Sequence, residues 1–325
     1  MKLGYHSSHE QFAPSALLAH VQHAEAAGFD AAMCSDHFLP WSEAQGESGY
    51  AWSWLGAALH ATNLSFGVVC APGYRYHPAI IAQAAATLAE MNPDRFWIAV
   101  GSGERLNEHI TGEAWPPKAE RNERLRECVD VMRALWAGET VTHHGLIRVE
   151  EAKLYTRPAA APRVFGAALT EETAEWLGSW ADGLITVSAP PEELERVIDA
   201  FRRGGGEGKP LLLQAKVSYA KTDADALRGA HEQWRSVVFD SSVLAELRMP
   251  AEFDAASKLV RADEMHQFVH ISSDVERHID FLRQYARFGF DTVHVHNVHS
   301  DQHRFIDDFG QHVLPALREE QEGRQ

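Results

Sequence analysis

The sequence predicts an α/β protein built around a closed (β/α)₈ barrel. About eight short apolar segments alternate with helical segments along the chain, which is typical of parallel strands joined by crossover helices. The length of 325 residues suits one barrel that carries insertions. No Gly-x-Gly-x-x-Gly motif follows the first predicted strand, so a doubly wound sheet is the less favoured alternative.

The strands are predicted from short apolar runs, of which 96–100 is apolar throughout, as expected for a parallel strand buried on both faces. Pro14 and Pro78 occupy the favoured first position of a helix, and Gly28 and Gly138 are typical helix ends. We predict strands at 2–5, 31–34, 64–70, 96–100, 163–165, 183–187, 211–219, 269–271 and 292–296. We predict helices at 14–27, 52–61, 78–91, 118–136, 170–180, 191–203, 274–288 and 306–317.

Two segments interrupt this alternation. Alternating residues over 140–154 predict a β-hairpin, and the mostly helical segment 222–265 is too long for a single crossover. We therefore expect one domain over 1–325, with insertions near 140–155 and 222–265.

Composition and charge exclude several classes of protein. The chain is 45% hydrophobic and 23% charged, with a formal net charge of −16, which argues against a nucleic-acid or anionic-membrane partner. The N-terminus has no apolar signal-peptide core, and no uncharged apolar run is long enough to span a bilayer. Cys34, Cys70 and Cys128 have no paired spacing, so we expect reduced thiols and a cytoplasmic enzyme that acts on a small molecule.

Polar side chains follow the second and fourth predicted strands. Asp36, His37 and, after a proline, Trp41 follow one strand, and Glu104 and Asn107 follow the other. Carboxyl ends of parallel strands collect the chemistry of a barrel, and His with Glu is a workable acid/base pair. The alternative interpretation is structural: a helix-capping Asp36, a satisfied loop histidine and an ordinary helix-initial Glu104.

Three phrases extend this pattern: Ser35 to Trp41, Tyr74 to Pro78, and Gly101 to Glu108. Together they resemble the luciferase-like flavin and deazaflavin oxidoreductases. Within these the chain is most similar to the group of F420-dependent glucose-6-phosphate dehydrogenases, and it also resembles a branch thought to use an ordinary flavin. The resemblance covers nearly the whole chain and implies a single luciferase-like barrel with hydride or oxygen chemistry at the isoalloxazine ring.

The resemblance also implies roles for the residues at the strand ends. Asp36 would contact the ring system, and His37 would be the base that removes the substrate hydroxyl proton. Trp41 would line the substrate side. Glu104 would be the acid or stabiliser at the pyrimidine side of the cofactor, with Asn107 near it.

The cofactor cradle is implied in the same way. Val68, Val69 and Cys70 match the strand end where relatives carry a bulged, often cis, peptide behind the ring, and Gly101, Ser102 and Gly103 let the ligand approach the backbone. The cofactor phosphate or tail would lie at Gly166, Ala167, Ala168 and Thr170, on backbone N–H groups at a helix start. Relatives often have Gly-Gly where this chain has Ala167-Ala168, so the cofactor is either F420 or FMN.

The sequence argues against glucose 6-phosphate as the substrate. A sugar phosphate needs cationic anchors, and the lysine that such relatives can place near 189–191 is absent. The candidates to replace it are Lys216, Lys258, Arg261 and Arg283. We expect a hydride transfer to or from another small organic compound.

Other functions stay open at this stage. One is an FMNH₂-dependent monooxygenase, and another is a relative that binds flavin without catalysis. A third, from a different class, is a metal-dependent barrel hydrolase that would use the crowded histidines His294, His296, His299 and His303, although we assign no metal ligand. Relatives are often dimers, so we also expect a homodimer.

Overall fold

The computed structural model describes residues 1–322, so the end of the expected domain, 323–325, lies outside the described residues. The strands are β1 (Lys2–Ser7), β2 (Ala31–Ser35), β3 (Ser65–Cys70), β4 (Phe96–Val100), β5 (Val141–His144), β6 (Arg148–Ala152), β7 (Arg163–Ala167), β8 (Gly183–Val187), β9 (Leu211–Ser218), β10 (His270–Ile271) and β11 (Thr292–Asn297). The helices are α1 (Pro14–Ala26), α2 (Ala51–Ala61), α3 (Pro78–Met91), α4 (Arg105–Glu108), α5 (Lys118–Ala137), α6 (Glu171–Gly178), α7 (Pro191–Phe201), α8 (Asp223–Trp234), α9 (Ser241–Leu244), α10 (Pro250–Ala256), α11 (Val275–Arg283), α12 (Gln302–Asp308) and α13 (Leu314–Glu322).

Eight parallel strands close into a barrel in the order β1, β2, β3, β4, β7, β8, β9, β11. Closure is made by β1, which pairs with β2 on one side and with β11 on the other, where Gly4 lies opposite His294. The short strand β10 adds to the outer edge of β9. The predicted (β/α)₈ barrel is therefore confirmed.

The amino-terminal half of the barrel interior is filled by side chains. A Cβ on Gly67 would come within 2.0 Å of the Trp97 ring, and one on Gly4 within 2.3 Å of His294. These two glycines leave the space that the two large rings occupy. A cluster of apolar side chains also fills the barrel interior: Met33, Ala99, Phe165, Ile185 and Leu212. The filled interior leaves only the carboxyl-terminal end of the barrel open for a site.

A recurring aspartate ties the helix-to-strand turns to the sheet. Asp30 accepts the N–H of Leu3 at 2.9 Å, and Asp291 accepts that of Leu211 at 2.9 Å. Each carboxylate thus satisfies the first free N–H of a neighbouring strand. This explains why Gly-Phe-Asp precedes a strand twice in the sequence.

The two segments outside the alternation have different structures. β5 and β6 form an antiparallel hairpin. Residues 222–267, hereafter the insertion, form α8, α9, α10 and short 3₁₀ turns above the barrel. Ala226, Ala230 and Met265 of the insertion form a small apolar cluster together with Val269, Ile271 and Val298. Within 1–322, no helix combines the length and apolarity that a membrane crossing requires.

Candidate active site

A cavity of about 640 Å³ opens at the carboxyl ends of the barrel strands. This volume is in the range of sites for small ligands and cofactors. Its lining includes most of the residues that the sequence singled out, namely Asp36, His37, Trp41, Val69, Cys70, Gly101, Ser102, Gly103, Glu104, Asn107, Ala167, Ala168 and Thr170. The structure therefore brings residues from β2, β3, β4 and β7 to one place.

Val68 and Gly166 are not among the lining residues. Strand alternation turns Val68 outward, where it is fully buried in the core between barrel and helices. A Cβ on Gly166 would meet Leu177 of α6 at 2.5 Å, so this glycine faces the helix layer. The sequence had assigned both positions to the cofactor, and both support the cavity wall from behind.

The expected cis peptide behind the ring is not seen. All peptide bonds of the described chain are trans, including those of β3. A cis bond without proline costs roughly 2.5–4 kcal/mol.

His37 lies between two carboxylates. Its Nε2 is 3.3 Å from Oε1 of Glu10 and 3.8 Å from Oε2 of Glu104. On the other side of the ring, Nδ1 is 3.3 Å from the carbonyl oxygen of Leu39 and 3.2 Å from Nδ2 of Asn107. A doubly protonated imidazole would thus find an acceptor at each nitrogen, which suits a group that takes up and releases a proton.

The sequence analysis did not single out Glu10, which follows β1. It is buried and accepts hydrogen bonds from Ser8 at 2.9 Å and Ser35 at 2.5 Å. Burial alone would raise the pKa of Glu10, but His37 and the two hydroxyl donors hold it below its usual value. The Glu10 carboxylate is therefore a fixed anion beside His37.

The pKa of Glu104 is shifted in the opposite direction, above its usual value. Its side chain lines the cavity and keeps 36% of its accessible surface. Partial desolvation raises the pKa of Glu104, while neighbouring His37 lowers it and the Glu10 anion raises it. The environment thus shifts the pKa values of the two carboxyls beside His37 in opposite directions.

Asn107 fixes the loop that carries His37. Its Oδ1 accepts the N–H groups of Phe38 at 2.9 Å and Leu39 at 3.4 Å. This assigns the Nδ2 group to the side that faces His37. Asn107 starts from α4, a short helix after β4 that the sequence analysis did not predict, with Glu104 at its N-cap position.

A buried cluster surrounds Asp36. Oδ1 of Asp36 accepts the hydroxyl of Tyr76 at 2.8 Å, and Arg75 lies 3.4 Å from Oδ2. Arg75 also pairs with Glu108 at 3.7 Å. Burial raises the pKa of Asp36 and raises that of Glu108 to about 7, and Arg75 opposes both shifts. Oδ2 of Asp36 is fully buried with Arg75 as its ion-pair partner, so this carboxylate holds the cavity wall together from within.

Trp41 joins the barrel side of the cavity to the insertion. Its ring lies 5.0 Å from His37 and makes an edge contact with Phe253 of α10 at 5.3 Å. Trp234 of α8 also lines the cavity. The insertion thus supplies an aromatic wall opposite the proton-handling groups.

In the segment predicted to bind the cofactor phosphate, 166–170, some of the polar groups already have hydrogen-bond partners in the protein. The N–H of Ala168 donates to the carbonyl of Ile185 at 3.1 Å, and the hydroxyl of Thr170 caps α6 through the N–H of Thr173 at 3.4 Å. Two acidic residues, Glu171 and Glu172, occupy the first turn of α6.

Comparison with known proteins decides the family. A family profile described as luciferase-like monooxygenase matches residues 1–292. The chain belongs to this luciferase-like family.

Curated relatives agree with the family and cover nearly the whole chain. The chain is 34% identical to an F420-dependent glucose-6-phosphate dehydrogenase of Beutenbergia cavernae, over 98% of each chain. It is 35% identical to an enzyme with the same name from Mycobacterium tuberculosis, again over 98% of each. The predicted resemblance is therefore confirmed, and the chain is a luciferase-like oxidoreductase.

Solved structures agree as well. An F420-dependent secondary alcohol dehydrogenase, solved with an F420–acetone adduct, is 31% identical with a TM-score of 0.90, over 97% of this chain and 98% of that one. The F420-dependent tetrahydromethanopterin reductase of Methanopyrus kandleri has a TM-score of 0.77 at 19% identity, over 97% and 99% of the two chains. At that identity it supports only the fold.

The four histidines that suggested a metal-dependent hydrolase do not form one cluster in the barrel. His294 and His296 are buried, and burial lowers the pKa of each to about 3. His303 instead lies beside His23 near the surface, with their Nδ1 atoms 3.2 Å apart. No group of three or more metal-binding side chains converges anywhere in the part of the chain that the structure describes.

Proposed function

We propose that this luciferase-like enzyme uses F420 to move a hydride to or from a small organic compound that carries a hydroxyl or carbonyl group. The observation that supports the proposal most is the His37 imidazole, held between Glu10 and Glu104 on the wall of the cavity. F420 is favoured over FMN because the relatives above 30% identity are F420 enzymes by name.

The residues present fit a flat, partly polar cofactor. Val69, Cys70 and Ala167 supply an apolar surface, and Asp36 adds a carboxylate to the lining. Gly103 has a φ of +83° and a Cβ there would meet Glu108 at 3.1 Å, so the backbone can pass close to a ligand only as glycine. The remaining contacts would come from Gly101, Ser102, Asn107, Ala168 and Thr170. The bound cofactor would supply the hydride acceptor or donor.

The proton side of the reaction falls to residues of the chain. We assign to His37 the uptake of the hydroxyl proton at Nε2, in the tautomer whose Nδ1–H donates to the Leu39 carbonyl; the Asn107 amide nitrogen beside Nδ1 is then a contact without a hydrogen bond. The Glu10 anion would stabilise the resulting imidazolium. Glu104, with its raised pKa, would hold a proton facing the cofactor side of the cavity, and Trp41 would shape the substrate pocket.

Glucose 6-phosphate is disfavoured by the positions of the available cations. Of the four candidates from the sequence, Lys216 lines the cavity. Arg261 pairs with Asp263 on the exposed face of the insertion, and Arg283 pairs with Asp280 on α11. Of the four candidates, Lys216 alone is thus placed to meet a phosphate dianion, and the other cations of the lining are Lys118 and the paired Arg75 and Arg121.

We also propose a single domain with two inserted segments, which works as a homodimer in the cytoplasm. The three cysteines are free and buried, which suits a reducing compartment. Sedimentation equilibrium of the purified chain would test the dimer, and a monomer at micromolar concentration would contradict it.

The function is tested by mixing the purified enzyme with F420 and a panel of secondary alcohols and hydroxy compounds, and by following the visible absorbance of oxidised F420. We expect substrate-dependent loss of absorbance under nitrogen. Oxygen uptake with FMNH₂ and substrate, together with no reduction of F420, would instead support the monooxygenase alternative.

A further inference from the structure

Lys216 is the cavity residue that the proposed chemistry leaves unused. Along β9, Leu212 packs in the barrel interior and Gln214 lies 3.3 Å from His296. Because alternate side chains point to the same face of a strand, Lys216 also points inward, and it reaches the cavity. Its backbone N–H donates to the Ser188 hydroxyl at 3.1 Å, which holds this end of β9 in place.

The arginines of the cavity already have partners. Arg75 pairs with Asp36 at 3.4 Å, and Arg121 pairs with Glu246 at 3.3 Å. The lining also holds two lysines, of which Lys118 is exposed and Lys216 is half-buried. No carboxylate oxygen of residues 1–322 lies within the 4.0 Å limit of an ion pair with the Lys216 ammonium. Lys216 is thus a partly buried cation in the cavity wall that no carboxylate of the described residues pairs with directly.

The surroundings of Lys216 place it near the proton-handling groups. Burial lowers the pKa of Lys216 to about 8, and Glu104 is the charged neighbour that raises it. The ammonium form therefore prevails at neutral pH. An unpaired charge in a desolvated position is unfavourable, and an anionic ligand would relieve this cost.

We propose that Lys216 binds the anionic group of the substrate, and that the substrate is a small monocarboxylate with a hydroxyl or carbonyl group. The proposal rests on the proposed function and narrows its substrate class. A single ammonium is a compact point charge that suits one carboxylate, whereas phosphate recognition uses several cations or a bidentate arginine. The hydroxyl or carbonyl end would then face His37, and Trp41 and Trp234 would cover the carbon chain.

Binding can be measured without cofactor. The apo-protein is titrated at constant ionic strength with formate, acetate, lactate and pyruvate, and with neutral lactamide, and binding is followed by tryptophan fluorescence and calorimetry. Trp41 and Trp234 line the cavity and should report occupancy. The variants are Lys216→Met, which keeps the length of the stem, Lys216→Arg, which keeps the charge, and Lys221→Met, which removes a nearby exposed lysine.

We expect at least one monocarboxylate to bind the unmodified protein and the Lys221→Met variant equally. In Lys216→Met its dissociation constant should rise by about tenfold or more, the effect of losing a charged hydrogen bond. Lys216→Arg should recover part of the loss, and lactamide should bind Lys216→Met no more weakly. Carboxylate affinity should also fall above about pH 8, where the lysine loses its proton.

Two results would overturn the inference: no saturable binding of any of these carboxylates, or binding that Lys216→Met leaves unchanged. A parallel F420 titration separates this failure from that of the proposed function. If F420 binds but carboxylates do not, only the substrate class is wrong. If carboxylates bind through Lys216 but F420 does not, the cofactor is wrong and the anion site stands.

Discussion

The cavity has two walls that are built in different ways. On the barrel wall, each proton-handling side chain has several partners: Glu10 has three, and Asn107 bonds two backbone N–H groups and contacts His37. The wall formed by the insertion consists of short helices tied to the barrel by a few contacts. Examples are the bond from the N–H of Arg105 to the carbonyl of Ala245 at 3.1 Å and the pair between Arg121 and Glu246.

Because of this difference, we expect the barrel wall to carry out the chemistry and the wall formed by the insertion to select the substrate. Groups on the barrel wall are held by the strand ends, so their geometry depends on the fold itself. The insertion packs on a small apolar cluster separate from the main core, which it shares with Val269, Ile271 and Val298. We therefore expect changes on its cavity face to affect the barrel little. Changes on the barrel wall should therefore affect turnover or stability strongly, and changes at the contacts of the insertion should affect them weakly.

The largest effect is expected from His37→Ala. Removal of a general base typically lowers turnover by about 10²–10⁴-fold, whereas the F420 dissociation constant should change far less because other residues line the cofactor side. Steady-state kinetics and a cofactor titration on the same preparation measure both, with the exposed His60→Ala as control. Equal losses of turnover and cofactor affinity would remove His37 from the role of base.

The next effect concerns stability and comes from Arg75→Met. The Arg75 side chain is 7% exposed and faces two buried carboxyls, Asp36 and Glu108. Loss of one partner of a buried pair costs roughly 3–5 kcal/mol of unfolding free energy.

Urea unfolding of Arg75→Met measures this cost. The matched control is Arg126→Met, which breaks the exposed pair with Asp130 and should cost less than about 1 kcal/mol. Similar losses in both variants would show that the Asp36 cluster is not a buried network.

A moderate effect is expected from Glu10→Gln. The amide keeps the size of the side chain and loses the anion beside His37, so turnover should fall by about tenfold to a hundredfold, as for a lost charged hydrogen bond. Ser8→Ala, which removes one donor to Glu10, should have a smaller effect. Unchanged kcat in Glu10→Gln would mean that His37 acts without this carboxylate.

The smallest effect is expected on the wall of the insertion, from Glu246→Gln. Glu246 is 53% exposed, and its contacts with Arg121 and Trp115 are 3.3 and 3.2 Å long. Only the Glu246 side of this pair is exposed, and the buried Arg121 keeps its bond to the Pro116 carbonyl at 3.1 Å in the variant. A pair with one solvated partner contributes about 0–1 kcal/mol, so the melting temperature measured by calorimetry should move little. A loss of stability as large as that of Arg75→Met would contradict the expectation that the insertion contributes less to stability than the barrel wall does.

The sequence could predict most of the barrel because its strands are short apolar runs that Gly and Pro delimit. It also found His37 and Glu104, which follow strand ends in phrases shared with the family. It could not show that Glu10 reaches His37 or that Arg75 reaches Asp36, because those contacts join separate loops and depend on the closed barrel. Val68 and Gly166 stay predicted cofactor contacts, but their side-chain positions face away from the cavity, because a one-residue step along a strand reverses the face on which a side chain lies.

The most direct test of the central claim is an equilibrium titration of the apo-protein with F420 and FMN in parallel, followed by quenching of its tryptophan fluorescence. Because Trp41 and Trp234 line the cavity, either cofactor should give a signal when it binds there. We predict saturable one-to-one binding of F420 and at least tenfold weaker binding of FMN, a difference in binding free energy of about 1.4 kcal/mol or more. Tight binding of FMN with none of F420 would contradict it.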